Sequence, residues 1–220
     1  MARRTADFRG LTQPSRLRLL AEVQAEPGLL LRELAERTGL HENTVRDHLV
    51  VLESEGLVTR QTQHVGRRGR PPETYHPVRE RDRNPEAARR VEQAIRHGEL
   101  LRRMNIDTSP DDLEPEALHQ LDTLYEHLDD SGFEPELRAA PLEIDLAPCP
   151  FATMVDTDQD LVCRVHSQLI RDTLNQVPGP LRLTRLDARM TPQLCRVHLG
   201  VAGETDAAAG ETVEAAPAAV

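Results

Sequence analysis

Apolar positions recur along this chain at two spacings, and the alternation between them divides it into elements. Leu17, Leu19, Leu20 and Val23 keep a helical period over 14–26, opened by Pro14 and stopped by Pro27-Gly28. Leu30, Leu31, Leu34 and Ala35 predict a second helix, and Thr38-Gly39-Leu40 a tight turn. A third helix over 42–55 turns Val45, Leu49, Val50 and Leu52 inward. Period-two patterning then predicts strands over 57–62 and 74–78, joined by the basic turn Gly66-Arg67-Arg68-Gly69-Arg70-Pro71-Pro72.

The second half follows the same logic. Val91, Ile95, Leu101 and Met104 predict a helix from about residue 84 to 105, with Ser109-Pro110-Asp111-Asp112 as punctuation. Leu118, Leu121, Leu124, Tyr125 and Leu128 share one side of a helix over 115–130. A strand over 142–146 delivers Pro148-Cys149-Pro150-Phe151. A helix beginning at or after residue 160 carries Leu169, Ile170 and Leu174 and ends near Pro178-Gly179-Pro180, before a pair of strands over 181–186 and 194–199.

The expected fold class is α+β. It comprises a winged helix-turn-helix domain over 1–83, connecting and dimerisation helices over 84–131, a small cysteine-containing α+β domain over 132–201, and a disordered tail over 202–220 that is rich in Ala, Glu, Thr and Gly.

In such a domain the start of the third helix enters the major groove of DNA. Arg46 can pair with guanine, Asn43 with adenine, and Thr44 with a phosphate or a thymine methyl, with His48 alongside. Arg67, Arg68 and Arg70 load the hairpin tip, where an arginine can reach a minor groove. A solvated helix face and an arginine loop without a DNA role are the plainer alternatives. The residues Leu11-Thr12-Gln13-Pro14-Ser15-Arg16, Leu34-Ala35-Glu36-Arg37-Thr38-Gly39-Leu40, Thr44-Val45-Arg46-Asp47-His48-Leu49 and Leu52-Glu53-Ser54-Glu55-Gly56-Leu57-Val58 resemble winged-helix repressors of the arsenic-repressor-like type over about 11–79. The resemblance implies a double-stranded DNA operator and, because such proteins bind paired half-sites, a homodimer.

Charge first looks contrary, since the net is −10. Residues 1–83 carry 15 Arg against 12 acids, a net of +3, whereas 84–220 carry 12 Arg against 25 acids, a net of −13. Local charge governs where phosphates dock, so the acidity does not oppose DNA binding by the first half. No apolar run is long enough to span a bilayer, and Met-Ala-Arg-Arg is followed by polar residues rather than a signal-peptide core, so a cytoplasmic protein is expected.

Three cysteines, Cys149, Cys163 and Cys195, all fall in the second half, and two of them open the same word, Cys-Arg-Val-His. Sparse thiols grouped beside histidines point to a metal or cluster more than to a disulfide. Their spacing matches no zinc ribbon or finger, although three thiolates and an imidazole suit zinc, and three thiolates also suffice for an iron-sulfur cluster with a further ligand. His166 shares a helix face with Cys163 and is the better candidate for a fourth ligand. His198 lies three strand positions from Cys195 and points the other way. Either histidine can instead orient the sulfurs by hydrogen bonding, and His119 and His127 read as surface or packing residues. Buried thiols without metal, and Cys163 with His166 as nucleophile and base of a thiol enzyme, are the remaining readings. The latter lacks an orienting group, so no enzyme is expected.

Cys149-Pro150-Phe151, Leu161-Val162-Cys163-Arg164-Val165-His166 and a last cysteine in a strand resemble the effector half of SufR-type repressors of iron-sulfur assembly operons over about 145–198. That resemblance implies a 4Fe-4S cluster that tunes operator affinity. Some relatives carry a fourth cysteine where this chain continues Val197-His198.

Overall fold

The computed structural model describes residues 9–63, 71–104, 113–191 and 193–202. Arg67, Arg68 and Arg70, the stretch Ser109-Pro110-Asp111-Asp112 and the tail beyond residue 202 lie outside the described residues.

Helix α1 (Pro14–Ala25) begins on a proline, whose fixed φ and missing N–H suit a first turn. Strand β1 (Leu29–Leu30) and helix α2 (Leu31–Thr38) follow, and the Glu33 side chain accepts from the Leu30 N–H at 2.8 Å to close the start of α2. Gly39, at φ 67°, makes the left-handed exit that other residues resist. Helix α3 (Glu42–Ser54) is capped by the His41 ring, which accepts from the Asn43 N–H at 3.2 Å. Strands β2 (Val58–Thr62) and β3 (Glu73–Pro77) pair antiparallel, and β1 adds to the free edge of β3, giving the order β1-β3-β2. The unit is a winged helix with a buried core of Leu19, Leu20, Leu34, Val45 and Leu52. Val50 departs from expectation, being 58 % exposed, because Leu49 and Leu52 already fill the inner face of α3.

Helix α4 (Pro85–Arg103) is capped by Asn84, whose side chain accepts from the Glu86 and Ala87 N–H groups while donating to the Glu53 and Val58 carbonyls. The cap thus ties α4 to the winged helix. Gly56, at φ 72°, permits this approach, since a Cβ there would lie 3.0 Å from the Ala87 nitrogen. Helix α5 (Pro115–Asp130) packs against α4, where Arg102 forks onto Asp122 at 2.8 and 2.7 Å. Its buried residues Leu121, Leu124 and Leu128 join the C-terminal core.

That core lies between the helices and a four-stranded antiparallel sheet of order β4-β5-β7-β6, formed by β4 (Glu134–Arg138), β5 (Glu143–Ala147), β6 (Leu181–Thr191) and β7 (Leu194–Val201). Helix α6 (Ala152–Asn175) crosses back between β5 and β6, and non-helical Asp158 divides it in two. The Asp158 carboxylate accepts from the Leu161 N–H at 3.1 Å and so caps the longer second segment. Helix α6 therefore begins well before the predicted start at residue 160, in a stretch whose Thr and Asp residues hide it from periodicity. Strand β4 is equally hidden, being polar and holding Pro135, which an edge strand tolerates.

The two halves share one apolar cluster, running from Leu11 and Leu20 through α6 to Val197, and α1 packs directly on α6. Gln120 fastens the C-terminal part: fully buried, it donates to the Leu174 and Leu181 carbonyls at 2.9 and 3.3 Å and accepts from the Leu181 N–H at 2.7 Å. Gln120→Ala would strand three buried backbone groups, so a loss of about 2–4 kcal/mol is expected, read as a shift of the urea midpoint.

Candidate functional site

The exposed start of α3 presents Asn43 and Arg46, whose guanidinium donates to the Asn43 side-chain oxygen at 2.7 Å. The pair is pre-aligned in solvent, with Thr44 half-buried beside it. His48 is placed differently. It is half-buried and hydrogen-bonded to the Ser15 hydroxyl at 2.9 Å, and burial, followed by the charge of Arg16, lowers its pKa. It braces α3 on α1.

The three cysteines all belong to the C-terminal part of the chain. Cys149 follows β5, where the Phe151 amide bonds its sulfur as α6 begins. Cys163 lies in the second segment of α6. Cys195 enters β7 in register with Leu146 and accepts from the Arg189 backbone N–H at 3.3 Å. Burial raises the pKa of Cys149, and the charge of Cys195 adds to it. Cys163 is pushed up to about 12, first by burial and then by the charges of Cys195 and Cys149. The charges of Cys195 and Cys149 thus reach Cys163, although the three residues are far apart in sequence. Among the described residues no group of three or more His, Cys, Asp or Glu side chains is set to hold a metal ion. Ligation would therefore have to draw the sulfurs inward.

Arg189 is the cation of this region. Its charge lowers the pKa of both Cys149 and Cys163, and its guanidinium pairs with Asp156 at 3.1 Å. It adopts φ 53°, the left-handed region, beside an irregularity between Asp187 and Thr191. Nothing in the local sequence signals Arg189 or Asp156, because their relation to the sulfurs exists only across β6, β7 and α6.

Neither candidate histidine faces the thiols. His166 is buried in the core, stacked on Phe133 at 4.9 Å between centroids and edge-on to Phe151 at 6.1 Å. Its Nε2 is buried with no hydrogen-bond partner, and its charge is felt by His127, whose pKa it helps to lower after burial. His198 lies on the opposite sheet face from Cys195, with Nδ1 3.0 Å from Glu143 and Nε2 2.8 Å from Asp187. His119 is 3.7 Å from Glu99.

The helix that carries Cys163 also holds the winged helix. Gln24 of α1 donates to the Val165 carbonyl at 3.4 Å, Gln176 donates to the Val78 carbonyl at 3.1 Å, and Arg79 pairs with Asp172 at 3.1 Å. Asp172 is 4 % exposed, and burial raises its pKa although Gln168 and Arg79 both bond it. A cavity of about 40 Å³ lies at this junction, bordered by Gly56, Leu57, Val78, Leu169 and Asp172.

Burial depresses the pKa of His166 to about 4 and that of His127 to about 3, below the ordinary 6.5. Each stays neutral in the native state while its unfolded counterpart binds a proton below 6.5, so stability is intact above that pH and falls towards pH 4. His166→Phe should flatten the slope of unfolding free energy between pH 6.5 and 4 by up to about one proton, measured by urea denaturation across that range.

Residues 11–61 match the family model of a helix-turn-helix domain. No curated protein and no solved structure matches the chain. Among the described residues no helix is long and apolar enough to cross a membrane. With a glycine turn, an open start to α3 and a two-stranded wing in place, the N-terminal part is a helix-turn-helix domain of winged form, the module of a DNA-binding transcriptional regulator.

Proposed function

We propose that this chain is a cytoplasmic, homodimeric repressor of iron-sulfur assembly genes, in which Cys149, Cys163 and Cys195 hold an iron-sulfur cluster, of 4Fe-4S type, that tunes operator affinity. The observation that supports the reading is that Cys163, which feels the charges of Cys195 and Cys149, lies on a helix whose C-terminal end bonds the winged helix. When bound, the cluster supplies a redox-sensitive group whose gain or loss changes charge and spacing at the sulfurs. A cation offsets the burial and mutual repulsion that keep Cys149 and Cys163 protonated, so ligation releases protons.

Cys195 and Leu146 are paired partners in one sheet, so strand pairing limits what can move on that side. Cys163 lies beyond the break at Asp158, in the second segment of α6, so a pull on its sulfur would act on the segment that packs against α1. Its displacement would reach α1 through Gln24 and the root of the wing through Arg79 and Val78. Coupling of this kind is typically worth about 1–3 kcal/mol. Leu100 on α4 and Met104 at its C-cap, 53 % and 59 % exposed, offer an apolar face to a twin helix and support the dimer.

Anaerobic purification followed by visible spectroscopy and iron, sulfide and zinc analysis tests the assignment. A brown protein with iron and sulfide is expected. A colourless protein with stoichiometric zinc would replace the cluster with a zinc site, and neither metal would return the cysteines to redox or packing roles. Arg46→Ala should cost about 1–3 kcal/mol of operator affinity and blur base preference, as read in competition binding. Arg68→Ala should instead reduce the salt slope by about 0.9, and an unchanged slope would remove the wing from the interface. Asp172→Asn should leave iron loading intact while bringing the operator affinities of loaded and unloaded protein together, as measured by anaerobic titration.

A further inference from the structure

Among the described residues of the winged helix, Val50 is the large aliphatic side chain left open: it is 58 % exposed, while Val45, Leu49 and Leu52 of the same helix are buried. It follows Asn43 by seven residues and Arg46 by four, so these three exposed side chains share one face of α3. Val50 also borders a cleft of about 770 Å³ between α3, the start of α2 and the wing, to which Leu31 and Tyr75 add apolar surface. The charges around this cleft balance, Arg32, Arg46 and Arg60 against Glu42, Glu53 and Glu73, with Arg60 3.2 Å from Glu53 and 3.9 Å from Glu73. The cleft therefore continues the face of Asn43 and Arg46 as a neutral, partly apolar surface rather than a cradle for phosphates.

We infer that Val50 is a specificity-determining residue that reads the C5-methyl group of an operator thymine in the major groove. This rests on the DNA-binding reading of the winged helix and is independent of what the cysteines hold. A helix-turn-helix domain lays this face of its third helix in the major groove, and the apolar feature that base edges present there is the thymine methyl. A valine has no donor or acceptor to offer, so it distinguishes thymine from the other bases by apolar contact alone. Arg46 and Val50 are about 6 Å apart along the helix axis, roughly two steps of 3.4 Å along the DNA. The thymine therefore lies about two base pairs from the base that Arg46 takes. Thr44, the other methyl-bearing side chain at the start of α3, is half-buried and less open to a base edge.

The test starts from the full-length protein and a pool of randomised DNA duplexes. Duplexes enriched by binding are remade with deoxyuridine in place of each thymidine in turn, which removes the methyl group and keeps every base-pair hydrogen bond. At one position the loss of the methyl is expected to weaken binding by the native protein about three- to five-fold, the worth of one buried methyl. The ratio should be the same at low and high salt, because no charge takes part. Val50→Ala, a change at an exposed position that favours the helix, should bind the thymidine duplex about as weakly as the native protein binds the deoxyuridine one, and should no longer tell the two apart. An undiminished response to deoxyuridine in Val50→Ala would overturn the assignment, as would a response that disappears in Thr44→Ser instead. An enriched duplex with no position sensitive to deoxyuridine removes the inference alone. Should no duplex be enriched, the DNA-binding reading falls and the inference falls with it.

Discussion

The packing of α6 against α1 is the constraint on which the remaining architecture depends. One apolar cluster runs through both halves of the molecule, so the winged helix and the C-terminal sheet cannot reorient without disturbing contacts at α6. Polar links follow the same seam: Gln24 to Val165, Gln176 to Val78, and Arg79 to buried Asp172. The last is partly frustrated, since Asp172 has a buried oxygen without a hydrogen-bond partner beside the junction cavity. Close-packed interiors pass on displacement rather than absorbing it. A change at the thiols thus has a material route to α3, which His48 braces on α1 through Ser15.

Opposing demands shape the thiol site. Burial and mutual repulsion favour neutral sulfurs in the free protein, whereas a bound cation would favour thiolates. The sheet beneath is held in register from its other face. There Asp145 is clasped by Arg196 at 2.6 Å and by Arg138 at 2.9 Å, while His198 joins Glu143 to Asp187. That network explains why the second Cys-Arg-Val-His word serves two faces: its cysteine looks towards the thiols, and its arginine and histidine towards the ion pairs. In the first word the same letters lie on a helix, and the histidine goes into the core. An identical tetrapeptide acquires different roles because periods of 3.6 and 2 distribute four residues differently.

Much of the molecule was legible in the chain because it is local. The helices of the N-terminal unit, its glycine turn and both wing strands follow from apolar period, proline and glycine, and so does the final hairpin. The helix over 115–130 reads equally well, since its apolar stripe is regular. What escaped was set by partners remote in sequence. β1 is two residues long and exists only because β3 offers an open edge, and polar β4 exists because β5 does. The early start of α6 depends on Phe151 and Val155 being buried from outside, and Tyr125, on the predicted apolar side of its helix, remains 41 % exposed.

The sequence by itself determined the winged helix, since its turn signals and apolar periods need no remote partner to be read. Only the tertiary structure decided that His166 enters an aromatic stack, that His198 bridges Glu143 and Asp187, and that Arg189 bonds both Cys195 and Asp156. Each of those facts is a distance between residues on different elements, fixed by sheet order, by the break at Asp158 and by the burial of α6 between two halves of one core.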